Sequence, residues 1–281
     1  MDFSNTLTTG SNGMVGSYLN FGIKTDRRSL DITDLKEVLS VVNKYKPNII
    51  LHLAAETDVD RCERDPQYAY FINSIGTYNI ALAAKQVGAK LVYISTNAVF
   101  DGKKKTPYQE NDIPNPQNYY GHSKFLGEAA IKEILKDYLI LRVSWMFGGG
   151  PSKDQKFVAK IINQIKNPEI KEIRAVTDQI GAPTFGKDLL EGIKILLEKE
   201  EKGIFHLPNQ GIASRYDIAK FIVDILRPEV SVVPVDSTYF NLDAKRIGND
   251  GLISKIDIMR PWQDAMAEYL KEEWGYLFNK K

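Results

Sequence analysis

Tyr120 and Lys124 stand four residues apart in NYYGHSKFLGE (118–128). On a helix that spacing puts both side chains on one face. A phenol with its ordinary pKa of about 10 is a poor acid and base at neutral pH, and a nearby ammonium favours the phenolate and lowers that value. The pair is either a proton donor with its electrostatic helper or two polar residues on a solvated face. About one such spacing arises by chance in a chain rich in both residues, so other groups must decide. Ser95 and Thr96 in YISTNAVF (93–100) close an apolar run of strand length. Open α/β sheets hold their ligands at that edge, and a hydroxyl there can bind a substrate oxygen.

A second cluster opens the chain. TTGSNGMVG (8–16) sets Gly10, Gly13 and Gly16 three apart. A turn of this kind lets backbone N–H groups and a helix N-terminus meet a pyrophosphate, or it is merely a tight strand-to-helix connection. A carboxylate at the end of the next strand would hold the adenosine ribose, and Asp26 is the candidate. It follows Gly16 by only ten residues, where a full helix and strand need about 20. The first helix must be cut short or the connection unusual. Arg27 and Arg28 follow Asp26 and either meet a 2′-phosphate, which favours NADP, or lie on the surface.

These groups need a frame. NIILHL (48–53), KLVYIS (90–95) and YLILRV (138–143) are short, continuous and apolar, the pattern of strands buried on both faces. Between them Leu35, Val38, Leu39 and Val42 make one helical stripe, and SIGTYNIALAAKQVG (74–88) is a small-residue helix stopped by glycine. Alternating strand and helix implies a parallel sheet with helices on both faces. After a glycine-rich break, FGGGPSKDQ (147–155), the pattern continues with helices near 156–166, 188–198, 218–225 and 262–274, and strands at 172–176, 203–207 and 230–235. The charged, proline-bearing stretch 101–118 reads as an exposed, mobile loop.

The bulk numbers narrow the partners. Lys plus Arg is 37 and Asp plus Glu is 36 among 281 residues. That balance gives no reason to expect nucleic acid or an anionic membrane as the main partner. Cys62 is the only cysteine, so no internal disulfide forms and a reducing compartment is expected. No signal peptide is read at the N-terminus and no run approaches the roughly 20 apolar residues of a membrane span. The expectation is a cytoplasmic protein with no bound metal.

Together TGSNGMVG (9–16), LDITD (30–34), KPNIILHLAAETDVDRCE (46–63), INSIGTYNIA (72–81), YISTNAVFDG (93–102), NPQNYYGHSKFLGE (115–128), LRVSWMFGGG (141–150) and TDQIGAPT (177–184) resemble the extended short-chain dehydrogenase/reductase family and, within it, the dTDP-4-dehydrorhamnose reductase branch. The resemblance covers nearly the whole chain. It implies an NAD(P)H-dependent reductase of the C4 ketone of a nucleotide sugar, with NADP or NAD as cofactor. Tyr120 would protonate the ketone oxygen, Lys124 would bind the nicotinamide ribose and tune Tyr120, and Thr96 would sit near the reacting oxygen. Gly10, Asn12, Gly13, Met14 and Val15 would approach the pyrophosphate, with Asp26 and Arg27 at the ribose. Asp31 and Ile32 would lie by the adenine, and Ala54, Ala55 and Thr57 along the path to the nicotinamide. Asn73 would stand behind the site or be structural. Asn97, Trp145 and Arg246 would face the sugar, Trp145 being otherwise a core aromatic.

The resemblance also implies the division of the chain: a Rossmann-type doubly wound parallel sheet from 1–147 and 173–203, with a smaller α/β substrate-binding lobe from 148–172 and 204–281. A second copy of the chain is a candidate partner. Two departures fall on the substrate side. The branch carries Asp-Tyr after the threonine, where this chain has Asn97-Ala98, and AKRIGNDG (244–251) keeps Arg246 without the following proline. An ionised aspartate only accepts hydrogen bonds, whereas asparagine also donates. Other readings are a non-catalytic nucleotide-binding regulatory subunit, similar to the methionine adenosyltransferase β subunit, and an NDP-sugar epimerase. A 4,6-dehydratase would need an acid and a base beside the threonine, which Asn97 and Ala98 do not supply.

Overall fold

The computed structural model describes residues 1–240, 243–244 and 248–277. Thr6–Thr9 (β1), Ile23–Lys24 (β2), Ile49–His52 (β3), Lys90–Thr96 (β4), Tyr138–Val143 (β5) and Gly203–His206 (β6) form one sheet in the order β6-β5-β4-β3-β1-β2. Every neighbouring pair is parallel. All four side chains of β1 and of β3 are buried, as a strand covered by helices on both faces requires. β2 lies on one side of β1 and β3 on the other. The strand order therefore reverses at the carboxyl ends of β1 and β3, which opens a crevice.

The short link after the glycine turn has the expected consequence. Between β1 and β2 the helix is reduced to one turn, Gly16–Tyr18. The next helix, Leu35–Tyr45, starts where the Asp34 carboxylate accepts the Lys36 and Glu37 N–H groups, and it buries Val38 and Val42. The segment read as one helix over 74–88 is longer and not uniform. Pro66–Tyr70 is helical, Phe71–Gly76 widens into a π turn, and Thr77–Val87 continues to Gly88.

The helix Tyr119–Ile134 carries the tyrosine–lysine pair. Asn118 caps it by accepting the Gly121 N–H at 2.8 Å. Gly121 is needed because a Cβ there would lie 2.0 Å from the Ala98 carbonyl oxygen. That contact sets the helix directly against the residues that follow β4. Further along, Glu128 and Arg142 form a buried ion pair, both side chains at most 2% exposed. Arg142 donates from Nε at 2.9 Å and from Nη2 at 2.8 Å, and Ser95 Oγ donates to the same carboxylate at 2.6 Å. One carboxylate thus ties the helix to β4 and β5.

Two boundaries differ from the sequence expectation. Glu172–Val176 is not part of the main sheet. It pairs in parallel with Ser231–Val235, and Ile173 and Ala175 lie in a second core with Phe147, Ile162, Phe185, Ile222 and Trp274. Conversely Gly203–His206, assigned mainly to the smaller lobe, is the sixth strand of the main sheet, and the helix Gly186–Glu198 packs Leu189, Ile193 and Leu196 beneath it. The segment 101–118 is irregular, but it is pinned rather than free. Tyr108 is 5% exposed, stacks on Phe100 at 4.3 Å and donates its N–H to the Gly251 carbonyl at 2.8 Å. Among the described residues no helix is long and apolar enough to cross a membrane.

Removing one partner of a buried ion pair leaves an uncompensated charge, a loss of about 3–5 kcal/mol. Glu128→Ala is expected to lower the unfolding free energy by that amount, read as a lower denaturation midpoint at an unchanged denaturant slope.

Candidate active site

Thr96 closes β4 at 4% exposure, with its Oγ accepting the Ala98 N–H at 3.1 Å and donating to Asn97 Oδ1 at 3.2 Å. The phenol of Tyr120 faces this hydroxyl. Burial pushes the phenol up to about 12; Thr96 works in the opposite direction, and Cys62 and Glu56 add smaller upward pushes. One turn on, Lys124 is 3% exposed. Its Nζ lies 4.1 Å from the centroid of the Tyr93 ring. Burial pulls its ammonium down to about 7, against a smaller stabilisation by Glu128. The expected acidification of Tyr120 by Lys124 is therefore absent. Both groups shift towards their neutral forms, because loss of water outweighs their effect on each other.

The floor of the crevice is buried and cross-bonded. His52 lies between Thr9 Oγ1 at 2.7 Å and Thr77 Oγ1 at 3.1 Å, and burial takes its pKa down to about 3. It is a neutral spacer between β1 and the helix behind. Asn73, on the π turn, exchanges hydrogen bonds with the Glu56 backbone at 2.9 and 3.0 Å and donates to Ser123 Oγ at 3.0 Å. It joins the loop after β3 to the Tyr120 helix, so its role is positioning. Such wide turns recur at functional sites.

The glycine turn follows β1. Gly10 (φ 68°) packs so closely on the loop after β3 that a Cβ would lie 2.6 Å from the Ala54 nitrogen. Gly13 donates its N–H to the Gly10 carbonyl at 3.1 Å, ahead of the single helical turn. Val15 is buried in the core and offers a ligand only its backbone, while Met14 lies against Gly186. Asn12 donates to Asp26 Oδ2. Asp26 Oδ1 accepts the N–H groups of Arg28 and Ser29 at 3.0 and 3.1 Å, so the carboxylate is spent on its own turn. Arg27 is turned away to the Tyr68 hydroxyl at 3.1 Å. Asp31 caps its own turn through Thr33, and Ile32 is buried against Gly76. Ala54 and Ala55 are half-buried. Thr57 accepts from Lys156 through its carbonyl at 2.9 Å and its hydroxyl at 3.1 Å. Lys156 therefore reaches from beyond the glycine break to the loop after β3, with its ammonium lowered by burial.

On the other side of Thr96, Asn97 donates to Asp250. Trp145 Nε1 donates to the same carboxylate at 2.8 Å. Both faces of the indole are covered. The Arg215 guanidinium lies 3.5 Å from its centroid, and Gly181 is so close that a Cβ would approach Cε2 to 2.3 Å. The indole is thus no free platform: it is partly buried and packs against the second core. Arg246 lies outside the described residues. Sequence reading missed His52, Glu128, Lys156, Arg215 and Asp250. Only Glu128 left a signal, since it continues the four-residue spacing of Tyr120 and Lys124.

A phenol and a buried ammonium over the carboxyl ends of a doubly wound sheet define a class, the extended short-chain dehydrogenases/reductases. The family model described as RmlD substrate binding domain matches residues 4–274, and the chain belongs to that family. It is 36% identical over 279 residues to the spore coat polysaccharide biosynthesis protein SpsK of Bacillus subtilis, covering 95% of this chain and 96% of that protein. It is 31% identical over 278 residues to dTDP-4-dehydrorhamnose reductase of Salmonella typhimurium, covering 92% and 90%. The crystal structure of dTDP-4-dehydrorhamnose reductase from Bacillus anthracis in complex with NADP aligns with a TM-score of 0.89 at 36% identity, covering 95% and 98%.

The lowered Lys124 pKa fixes a pH dependence. Below about 7 both folded and unfolded chains hold the proton, and the fold bears the full cost of the buried ammonium. Between about 7 and the ordinary lysine value of 10.5 only the unfolded chain holds it, so this residue's contribution to stability rises with pH across that window. Chemical denaturation at pH 6.5 and 9 is expected to show this difference reduced in Lys124→Met.

Proposed function

We propose that the chain reduces the C4 ketone of a nucleotide sugar, dTDP-4-dehydrorhamnose or a close relative, using NADPH or NADH. The observation that carries this reading is the protonated Tyr120 phenol beside Thr96, one helical turn from the buried Lys124, in the crevice at the switch point of the sheet. The relatives' names supply the substrate class.

The residues present suit a dinucleotide. Gly10, Asn12, Gly13 and Met14 would hold its pyrophosphate by backbone groups, and Ala54, Ala55 and Thr57 would line its far end. Among the described residues Lys124 Nζ has no hydrogen-bond acceptor, and a ribose hydroxyl would provide one. When bound, the reduced nicotinamide supplies the hydride that adds to the carbonyl carbon. The remaining work belongs to the chain. As the carbonyl double bond opens, its oxygen takes the Tyr120 proton, giving the alcohol. The Lys124 ammonium stabilises the phenolate that is left, and solvent restores its proton. A phenol held near 12 is fully protonated at neutral pH, which suits a donor in the reductive direction.

NADPH is the cofactor we expect to be preferred. The Asp26 carboxylate that would take a ribose 2′-hydroxyl is already occupied. A cavity of about 460 Å³ lies there, lined by Ser11, Asn12, Ser17, Lys24, Ser29 and Lys153 with Asp26 itself. Its two ammonium groups outnumber the one carboxylate, whose oxygens are turned to Asn12 and its own loop, and with the hydroxyls they suit a 2′-phosphate of charge about −2.

The test is purified protein with dTDP-4-dehydrorhamnose and either dinucleotide, followed by loss of reduced-nicotinamide absorbance. Turnover is expected, faster with NADPH at equal concentration. In Tyr120→Phe it should fall by about 10²–10⁴-fold, the usual worth of a general acid, with NADPH affinity nearly unchanged. No absorbance change in the wild type, with dinucleotide still bound, would instead indicate a binding subunit.

A further inference from the structure

Asn97 and Asp250 are 153 residues apart in sequence yet share a hydrogen bond. We infer that Asp250 is a positioning residue for the sugar: it fixes Trp145 and Asn97 together and thereby sets which nucleotide sugars the crevice accepts. This rests on the reading of the crevice as a nucleotide-sugar site.

The contacts form one continuous chain. Trp145 Nε1 donates to Asp250 Oδ2 at 2.8 Å, Asn97 Nδ2 donates to Asp250 Oδ1, and Thr96 Oγ donates to Asn97 Oδ1 at 3.2 Å. An ionised carboxylate can only accept. It therefore orients the Asn97 amide with nitrogen towards Asp250 and oxygen towards Thr96. The Thr96 oxygen then accepts the Ala98 N–H at 3.1 Å, at the edge of the strand that faces Tyr120. One carboxylate thus sets the polarity of the hydrogen bonds up to the reacting group.

The same carboxylate fixes a strained tryptophan. Trp145 has φ 35°, in the left-handed region, which bulky side chains rarely adopt. Its neighbours hold it there. Thr184 donates from Oγ1 to the Ser144 carbonyl at 2.6 Å and from its N–H to the Trp145 carbonyl at 3.3 Å. Ser144 Oγ donates to the Asp250 carbonyl at 3.0 Å. With Gly181 and Arg215 on its two faces, the indole can rotate only if its link to Asp250 breaks. Asp250 itself is in register with Gly181 in a small sheet.

The pair also accounts for the departure at position 97. An aspartate there would set two carboxylates against each other, so Asn97 is the residue that Asp250 requires. The carboxylate that the family places after the catalytic threonine stands in this chain on the opposite wall of the crevice.

The test uses the full chain. Asp250→Ala is expected to raise KM for the nucleotide sugar about tenfold or more, with a smaller fall in kcat and unchanged NADPH affinity, the split of a lost binding interaction. Asn97→Asp should be impaired at least as much. The exchanged pair, Asn97→Asp with Asp250→Asn, should recover to within about threefold of wild-type kcat/KM, because the amide and carboxylate again face each other. Wild-type kinetics in Asp250→Ala, or an exchanged pair no better than its single variants, would overturn the proposal. So would loss of NADPH binding in both Asp250 variants, which would assign the residue to folding alone. If the wild type reduces no nucleotide sugar, the proposed function fails separately. Affinity for dTDP-glucose, read by calorimetry, then decides on Asp250 by the same comparisons.

Discussion

Loss of water around Lys124 is the constraint on which the site depends. Lys124 is 3% exposed and its ammonium has no hydrogen-bond acceptor among the described residues, so burial disfavours its charge by more than Glu128 restores. Its cationic contact is the ring face of Tyr93, and its carboxylate neighbour one turn on, Glu128, is committed to Arg142 and Ser95. A polar ligand that accepts from Lys124 would favour its charged form. The same dryness keeps the Tyr120 proton in place. In this chain the lysine does not acidify the tyrosine in advance; it stabilises the phenolate once the proton has gone.

The rest of the fold serves that geometry at short range. Gly121 lets the helix meet the Ala98 carbonyl, Asn73 couples it to the loop after β3, and Glu128 anchors it to β4 and β5. Three contacts on three sides leave the Tyr120 helix little freedom to slide. The walls are built differently. Lys156 crosses to Thr57 on one side, and Asp250 joins Trp145 to Asn97 on the other. Both cross-links come from residues after the glycine break, so the later half of the chain completes a site whose chemistry lies in the earlier half.

Legibility in the sequence followed the range of the interactions. The buried parallel strands β3, β4 and β5 were readable because a strand covered on both faces must be apolar throughout. Tyr120 and Lys124 were readable because a helix repeats every 3.6 residues, and the truncated first helix followed from the spacing of Gly16 and Asp26. What was not readable depends on distant partners. Glu172–Val176 and Gly203–His206 both read as short strands, and only pairing with Ser231–Val235 or with β5 decides their sheets. Asp250 sits in a turn-like NDG with no local mark of its role. The π turn at Phe71–Gly76 also has no local sequence signal. The direction of the pKa shifts was misjudged for a related reason: spacing shows that two groups are close, but not how little water reaches them.

The central claim is that burial keeps the phenol of Tyr120 protonated until a charged Lys124 stands beside it. The most direct measurement is a carbon-13 magnetic resonance titration of the Tyr120 ring carbon bearing the hydroxyl, in the free protein and with NADP bound. The account predicts a high value near 12 in the free protein and a fall of about two units or more once the cofactor restores the ammonium. An ordinary phenol in the free protein, or one indifferent to the cofactor and to Lys124→Met, would contradict it.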